Sequence, residues 1–354
     1  MMKTFKIAVL AGDGIGGEVM EEAIRVLDAI QSQAQFRFNI EKLLVGTQAY
    51  EKAGDYLPQD TIERCRKADA ILLGATGVSN QRGRELILDI RKEFNFFANI
   101  RPAISLPTKH GTAFNFVIVR ELASGFYFGK RTEADYQGLG INERAVDSGT
   151  YFVKDIERIA RIAFEISKGR DKKLVSVDKA NVFATSRLWR KVVDDVAKEY
   201  LDVKISHMFV DTMAMQMVKN PEAFDVILTD NLFGDILSDE AAGVVSSLGV
   251  MPSASFNEKR FSLYEPVHGS APDIAGKGIA NPIGMIRSAA MMLEYSFGAK
   301  NEAMAIGKAI DAVLKEGYGT EDLEPRNEVG TSEFGDLVVK YLKLCKVKSV
   351  KLKV

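Results

Sequence analysis

At 354 residues, 46% of them hydrophobic, the chain can bury two cores, and two domains are expected rather than one. Lys and Arg (47) balance Asp and Glu (48) to a net charge of -1, so no global field draws the protein to nucleic acid or to an anionic membrane. No apolar stretch approaches the roughly 20 residues that span a bilayer, and Cys65 and Cys345 lack metal-site spacing and suit a reducing compartment, so a soluble, cytoplasmic protein is expected.

Residues 6–11 predict a first β-strand; Gly12 and Asp13 interrupt the apolar run too early for a signal peptide. Gly12, Gly14 and Gly17 then match G-x-G-x-x-G, the pattern that admits a pyrophosphate to a helix N-terminus in a dinucleotide-binding βαβ unit. The acid such a unit needs about 20 positions further on has only Glu41 as a candidate, in a segment that reads poorly as part of a tight βαβ unit. The glycines therefore read as a tight strand-to-helix turn near a ligand.

Strand-like runs at 70–74, 116–119, 174–177 and 226–229 alternate with helical patterns such as 157–168 and 189–200, which predicts an α/β fold with a parallel or mixed sheet. Residues 125–151 are rich in Gly, charge and Tyr without a helical period, and read as an arm or hairpin. No repeat or low-complexity linker appears, so the domains are expected to be intertwined. The lysine-rich tail 340–354 reads as a solvated helix end.

The residues with chemistry lie at the ends of these elements. Asp235 and Asp239, four apart in NLFGDILSDEAAG, share one helix face, where two like charges repel unless a cation compensates them. Oxygen ligands select a hard ion, Mg²⁺ or Mn²⁺, and Asp211, at the end of the strand-like HMFVD, is a third candidate. Solvated helix acids remain the alternative. Arg91, Arg101 and Arg120 also stand at element ends, where guanidinium forks can grip carboxylates or serve structural ion pairs. Lys179 follows a buried-looking strand in VSVDKANV, where an ammonium is costly without a partner or a role, and Tyr127 in SGFYFG is either reactive or packed.

AGDGIGGE, RKEFNFFANIRP, VIVRELASGFYFG, VSVDKANV, FVDTMAMQMV, NLFGDILSDEAAG, SLGVMPSAS and EPVHGSAPDIAGKGIANP occur in that order. Together they resemble the isocitrate and isopropylmalate dehydrogenase family of β-decarboxylating dehydrogenases, over residues 6 to about 334. The resemblance implies a non-Rossmann fold in which residues 1–97 and 247–354 form a large cofactor-side domain. Residues 98–246 would form a smaller domain with the metal acids and a dimerisation arm at about 125–151. The G-x-G-x-x-G match is then a decoy. The cofactor is expected along His268, Gly269, Ser270, Ala271, Asp273, Ile274 and Asn281, with the Asp273 carboxylate favouring the ribose hydroxyl of NAD over the 2′-phosphate of NADP.

By the same resemblance, Arg91, Arg101 and Arg120 bind the substrate carboxylates, and Asp211, Asp235 and Asp239 hold Mg²⁺ or Mn²⁺. Lys179, directly or through Asp211, takes the hydroxyl proton, and Tyr127 returns one after CO₂ leaves. Lys179 and Asp211 would serve a partner subunit, which implies a homodimer. Ile87 and Leu88 resemble the apolar pair that receives an isopropyl group, so 3-isopropylmalate is the expected substrate in a step of leucine biosynthesis. Arg84 instead fits a distal carboxylate, which keeps isocitrate or homoisocitrate open, and D-malate or 3-methylmalate would fit the same apolar wall. A non-catalytic regulatory paralogue would lack one of Tyr127, Lys179, Asp211, Asp235 and Asp239, and all are present. Gly17 stands where the family usually has proline, and Arg326 in LEPRNEVGT could approach the cofactor ribose.

Overall fold

The apolar opening run becomes strand β1 (Lys3–Gly12), whose residues Ile7 to Leu10 are buried. It feeds helix α1 (Gly16–Gln31), which turns Val19, Met20, Ala23, Val26, Leu27 and Ile30 to the core at helical spacing. The structure, a computed structural model, describes residues 2–77, 86–107 and 113–344. The chain continues through β2 (Phe36–Leu43), α2 (Thr47–Ala53), α3 (Gln59–Cys65), β3 (Ala70–Ala75), α4 (Leu86–Glu93), β4 (Ala98–Ile104) and β5 (Asn115–Glu121). Then come β6 (Arg131–Thr132), β7 (Val146–Asp147), α5 (Val153–Lys168), β8 (Lys173–Asp178), α6 (Ala184–Ala197), β9 (Lys204–Phe209), α7 (Val210–Lys219), β10 (Val226–Thr229) and α8 (Asn231–Val245). It closes with β11 (Pro252–Phe256), β12 (Ser262–Pro266), α9 (Ile283–Tyr295), α10 (Lys300–Lys315), β13 (Tyr318–Gly319), β14 (Asn327–Glu328) and α11 (Thr331–Leu344).

Two compact units share these elements. The first comprises residues 1–96, 101–113 and 242–354, and the second residues 97–100 and 114–241. In the first, β1 pairs in parallel with β2 and β3, β3 with β12, and β12 antiparallel with β11. In the second, the strand order β5-β10-β8-β9 is parallel throughout. β10, lying between β5 and β8, is buried along its whole length, which is why 226–228 reads as an unbroken apolar run.

Three expectations change. The segment around Glu41 does complete a βαβ unit: Glu41 lies opposite Ala8 in the parallel β1–β2 ladder, and its carboxylate pairs with Arg64. The aromatic and charged mixture of FRFNIEKL hides its strand period. Asp211 does not end a strand, because β9 stops at Phe209 and Asp211 lies in the first turn of α7. The helix expected over 189–200 starts earlier and covers Ala184–Ala197. In the 125–151 segment, β6 and β7 pair antiparallel, and Tyr136, Leu139 and Ile141 between them are exposed.

Candidate active site

The second unit carries Arg120, Tyr127, Lys179, Asp211, Asp235 and Asp239, all at or after the ends of its parallel strands. Arg120 leaves β5 almost fully buried, at 1% exposure, a cost that only paired contacts can offset. Asn231, at the start of α8, supplies them: its carboxamide oxygen accepts from Nη2 at 2.9 Å and Nε at 3.2 Å. The third nitrogen, Nη1, donates to Oδ1 of Asp235. Oδ2 of the same carboxylate accepts from the Tyr127 hydroxyl. One aspartate thus joins the candidate substrate arginine to the candidate proton donor.

The loop bearing Tyr127 is fixed from several sides. Glu121, fully buried, accepts the backbone N–H of Ala123 at 2.7 Å and of Ser124 at 2.9 Å. The Asn231 amide donates to the Ser124 carbonyl at 3.0 Å, and its backbone N–H to the Tyr151 hydroxyl at 3.1 Å. Gly125 has φ +81°, and a side chain there would also meet that hydroxyl at 2.3 Å. Asp239, one turn beyond Asp235 on α8, is exposed.

At the neighbouring strand ends, Lys179 follows β8 and its Nζ lies 2.5 Å from Oδ1 of Asp211. The ammonium holds that exposed carboxyl below the usual carboxylate range. Lys179 emerges from a braced position. The preceding Asp178, buried, receives a two-nitrogen fork from Arg190 at 2.8 and 2.9 Å, and the Lys179 backbone N–H donates to the Ser186 hydroxyl at 3.1 Å. The Phe209 ring lies under both the Arg190 guanidinium, at 5.3 Å, and the Lys179 ammonium, at 5.9 Å.

The oxygen donors suit a hard divalent ion, and Asp235 and Asp239 present them one helical turn apart. Asp211 sits with Lys179 instead. Among the described residues no group of three or more His, Cys, Asp or Glu side chains could hold a metal, so the expected three-aspartate set is not assembled there within one chain.

The first unit carries the other candidates. Arg91 on α4 and Arg101 on β4 are buried, and Nη2 of Arg91 lies 3.5 Å from the Glu265 carboxylate while its Nε, also buried, has no hydrogen-bond partner among the described residues. Ile87 and Leu88 are half-buried on α4; Arg84 falls outside the described residues.

A cleft of about 580 Å³ in this unit is lined by His268, Gly269, Ala271, Ile274 and Asn281 of the expected cofactor segment, together with Ser247, Gly249 and the acids Glu321, Asp322 and Glu324. Ser270 and Asp273 lie outside the lining: the Ser270 carbonyl accepts from the Ile15 N–H at 2.9 Å, and Asp273 is an exposed turn residue. Arg326 packs against Gly317 and is not a lining residue either. Asp322 organises the floor, accepting from Ser247 and Thr320 hydroxyls and, at 3.0 Å, from the Asn281 amide. Burial pushes the His268 imidazole below its ordinary value, so it is neutral at pH 7. Its Nδ1 lies 2.9 Å from the Gly269 carbonyl, which selects the Nδ1–H tautomer and leaves the buried Nε2 as an acceptor without a partner among the described residues.

Beside Gly12 and Gly14, two of the three glycines of the decoy motif, the space is filled by protein. A β-carbon on Gly12 would stand 1.7 Å from the Ala75 carbonyl oxygen, and one on Gly14 would stand 1.9 Å from that of Ser270. The Asp13 and Ile15 N–H groups donate to these same two carbonyls, so the turn offers them to the chain rather than to a pyrophosphate. Gly17, the third motif glycine, has open space around it. The sequence alone does not mark Asn231, Gly234, Glu121 and Asp322 as functional: Asn231 and Gly234 meet Arg120 from 111 or more positions away, and Glu121 braces a loop whose turn has no sequence signature.

A family model for isocitrate/isopropylmalate dehydrogenase matches residues 6–338. The chain is 48% identical over 355 residues to a 3-isopropylmalate dehydrogenase of Heyndrickxia coagulans, covering 95% of this chain and 96% of that one. It is 47% identical over 356 residues to that of Haemophilus influenzae, covering 95% and 99%. Among solved structures, an isocitrate dehydrogenase from Methylococcus capsulatus superposes with a TM-score of 0.89 at 36% identity, over 96% of this chain and 99% of that one. A β-decarboxylating dehydrogenase from Thermococcus kodakarensis gives a TM-score of 0.81 at 38% identity, with 96% of each chain covered. Both the length of these matches and the fold they share place the chain in the isocitrate/isopropylmalate dehydrogenase family.

Proposed function

We propose that the protein catalyses the NAD-dependent oxidative decarboxylation of 3-isopropylmalate to 4-methyl-2-oxopentanoate, a cytoplasmic step of leucine biosynthesis. The observation that carries this reading is the pair of charge clusters in the second unit: Arg120 and Tyr127 on Asp235, and Lys179 on Asp211. These groups supply a carboxylate clamp, a proton donor and a proton acceptor.

In this reading Arg91, Arg101 and Arg120 bind the two malate carboxylates. Ile87 and Leu88 form the apolar wall for the isopropyl group, which offers a third carboxylate no partner. Lys179, as the free amine and directly or through Asp211, would accept the proton of the C2 hydroxyl, and a bound nicotinamide would supply the hydride acceptor for C2. Tyr127 gives a proton to C3 after CO₂ departs, and Asn231 and Glu121 hold Arg120 and the Tyr127 loop in place for both steps. Asp235 and Asp239, with Asp211 of a second copy, would hold Mg²⁺ or Mn²⁺, which when bound would supply Lewis-acid stabilisation of negative charge on oxygen.

The cofactor reading rests on the 580 Å³ cleft. Glu321, Asp322 and Glu324 line it, and Asp273 stands on the same loop as Ile274; carboxylates there accept from ribose hydroxyls and repel a 2′-phosphate, favouring NAD over NADP.

We also infer a homodimer. Met215 and Val218 on α7 and Ile236 on α8 are exposed apolar side chains on the same unit as the charge clusters, a pattern that a second copy would cover. The dimer gives Asp211 and Lys179 of one chain to the Asp235–Asp239 pair of the other. NADH formation from 3-isopropylmalate, measured with Mn²⁺ and after chelation, tests the reading. Activity that vanishes with EDTA and in Lys179→Met supports it, and metal-independent turnover contradicts it.

A further inference from the structure

The cleft wall that carries Ile274 and Ile279 is built from two successive turns without a helix or strand. Ile274 N–H donates to the Ala271 carbonyl at 3.1 Å and Lys277 N–H to the Ile274 carbonyl at 3.2 Å. The next glycines, Gly276 and Gly278, have φ +76° and +67°, with open space where a β-carbon would stand. Such a segment has little apolar burial of its own to hold its shape, so its position depends on the few contacts that tether it.

One tether is a carboxylate from another element. Glu18, in the first turn of α1, accepts the Gly276 N–H on Oε1 at 2.5 Å and the Gly278 N–H on Oε2 at 3.2 Å. The opposite side is held by Thr331, whose N–H donates to the Gly278 carbonyl at 2.8 Å and whose hydroxyl donates to the Ala280 carbonyl at 2.6 Å. Glu18 does not line the cleft; it lines a separate hollow with Glu21, Glu22, Arg25 and Gly278.

We propose that Glu18 is a positioning residue for the nicotinamide cofactor: its two carboxylate oxygens clamp the Gly276 and Gly278 amides and so set the wall that carries Ile274 and Ile279. The proposal rests on the reading of this cleft as the cofactor site. Its chemistry is specific. Two amides pointing at one carboxylate make charge-assisted hydrogen bonds, and a first-turn acid is further favoured by the helix dipole. A glutamine keeps one acceptor oxygen, whereas alanine keeps none. The clamp acts on the loop before substrate arrives, so its loss weakens cofactor binding and leaves the hydroxy-acid site as it was.

The test is calorimetric titration of NAD into the full-length wild type, Glu18→Gln and Glu18→Ala, with Glu21→Ala as a control on the same helical turn. Steady-state kinetics are measured on the same proteins. Losing both charge-assisted bonds is expected to raise the NAD Kd roughly tenfold in Glu18→Ala, with Glu18→Gln about threefold weaker and Glu21→Ala unchanged. The KM for 3-isopropylmalate at saturating NAD stays within about twofold of wild type, a split that general destabilisation does not produce. Wild-type-like NAD affinity in Glu18→Ala overturns the proposal, as does a parallel rise in both KM values. A wild type that binds NAD while Glu18→Ala does not differ from it fails only the clamp; a wild type that binds no NAD fails the cleft reading itself.

Discussion

Gly234 lies against Arg120 so closely that a β-carbon at Gly234 would stand 2.6 Å from Cγ of the arginine and 2.9 Å from its Cβ. A glycine inside α8 costs about 0.5–1 kcal/mol relative to alanine, and here it lets the arginine stem pass beneath the helix to reach Asn231 and Asp235. The expected result for Gly234→Ala is a loss of about 1–3 kcal/mol of stability from overpacking, with the KM for the hydroxy acid raised more than that for NAD. Urea unfolding and steady-state kinetics check both parts.

Gly17 provides the contrasting case. It sits in the first turn of α1, its φ is ordinary, and nothing lies within 4 Å of a β-carbon built there. Gly17→Ala should therefore stabilise the fold by about 0.5–1 kcal/mol through reduced unfolded-state entropy. Thermal unfolding at fixed pH reads the change, and a lower midpoint than wild type counts against this account of the turn.

His268 links stability to pH. Because burial depresses its folded pKa below the ordinary 6.5, the unfolded chain binds more protons at mildly acidic pH. The neutral imidazole's contribution is then complete above pH 6.5 and is lost as pH falls from there toward the depressed folded value. Replacing His268 with glutamine should flatten that part of the stability curve relative to wild type. Equal slopes for the two proteins between pH 7 and 5 would show that His268 is not the linked group.

Cys65 is fully buried, and burial pushes its thiol up to about 12. The thiolate is the reactive form, so iodoacetamide at pH 8 should leave Cys65 unmodified in the native protein and alkylate it in denaturant. Peptide-resolved mass spectrometry separates it from Cys345. Rapid native labelling of Cys65 would contradict its burial.

The strands at residues 70–75 and 226–229 were legible because buried parallel strands read as continuous apolar runs. β2 was obscured because FRFNIEKL mixes charge with aromatics on a strand that is mostly half-exposed or exposed. Of the candidate site residues, Arg120, Lys179 and Asp211 stood out as charged side chains near strand and helix ends. The residues that hold them did not. Asn231 reaches Arg120 across 111 positions, and Glu18 reaches Gly276 across 258, pairings that no local pattern encodes. HMFVD reads as strand through Asp211 because it carries no mark of where β9 gives way to α7.

The assigned substrate is tested by kcat/KM, followed by NADH formation with Mn²⁺, for 3-isopropylmalate, isocitrate, homoisocitrate and D-malate side by side. An apolar wall at Ile87 and Leu88 predicts that 3-isopropylmalate leads the tricarboxylates by at least roughly a hundredfold, the scale on which a buried charge without a partner is rejected. A tricarboxylate that turns over faster than 3-isopropylmalate would contradict the assigned substrate and transfer the specificity role to a cationic group such as Arg84.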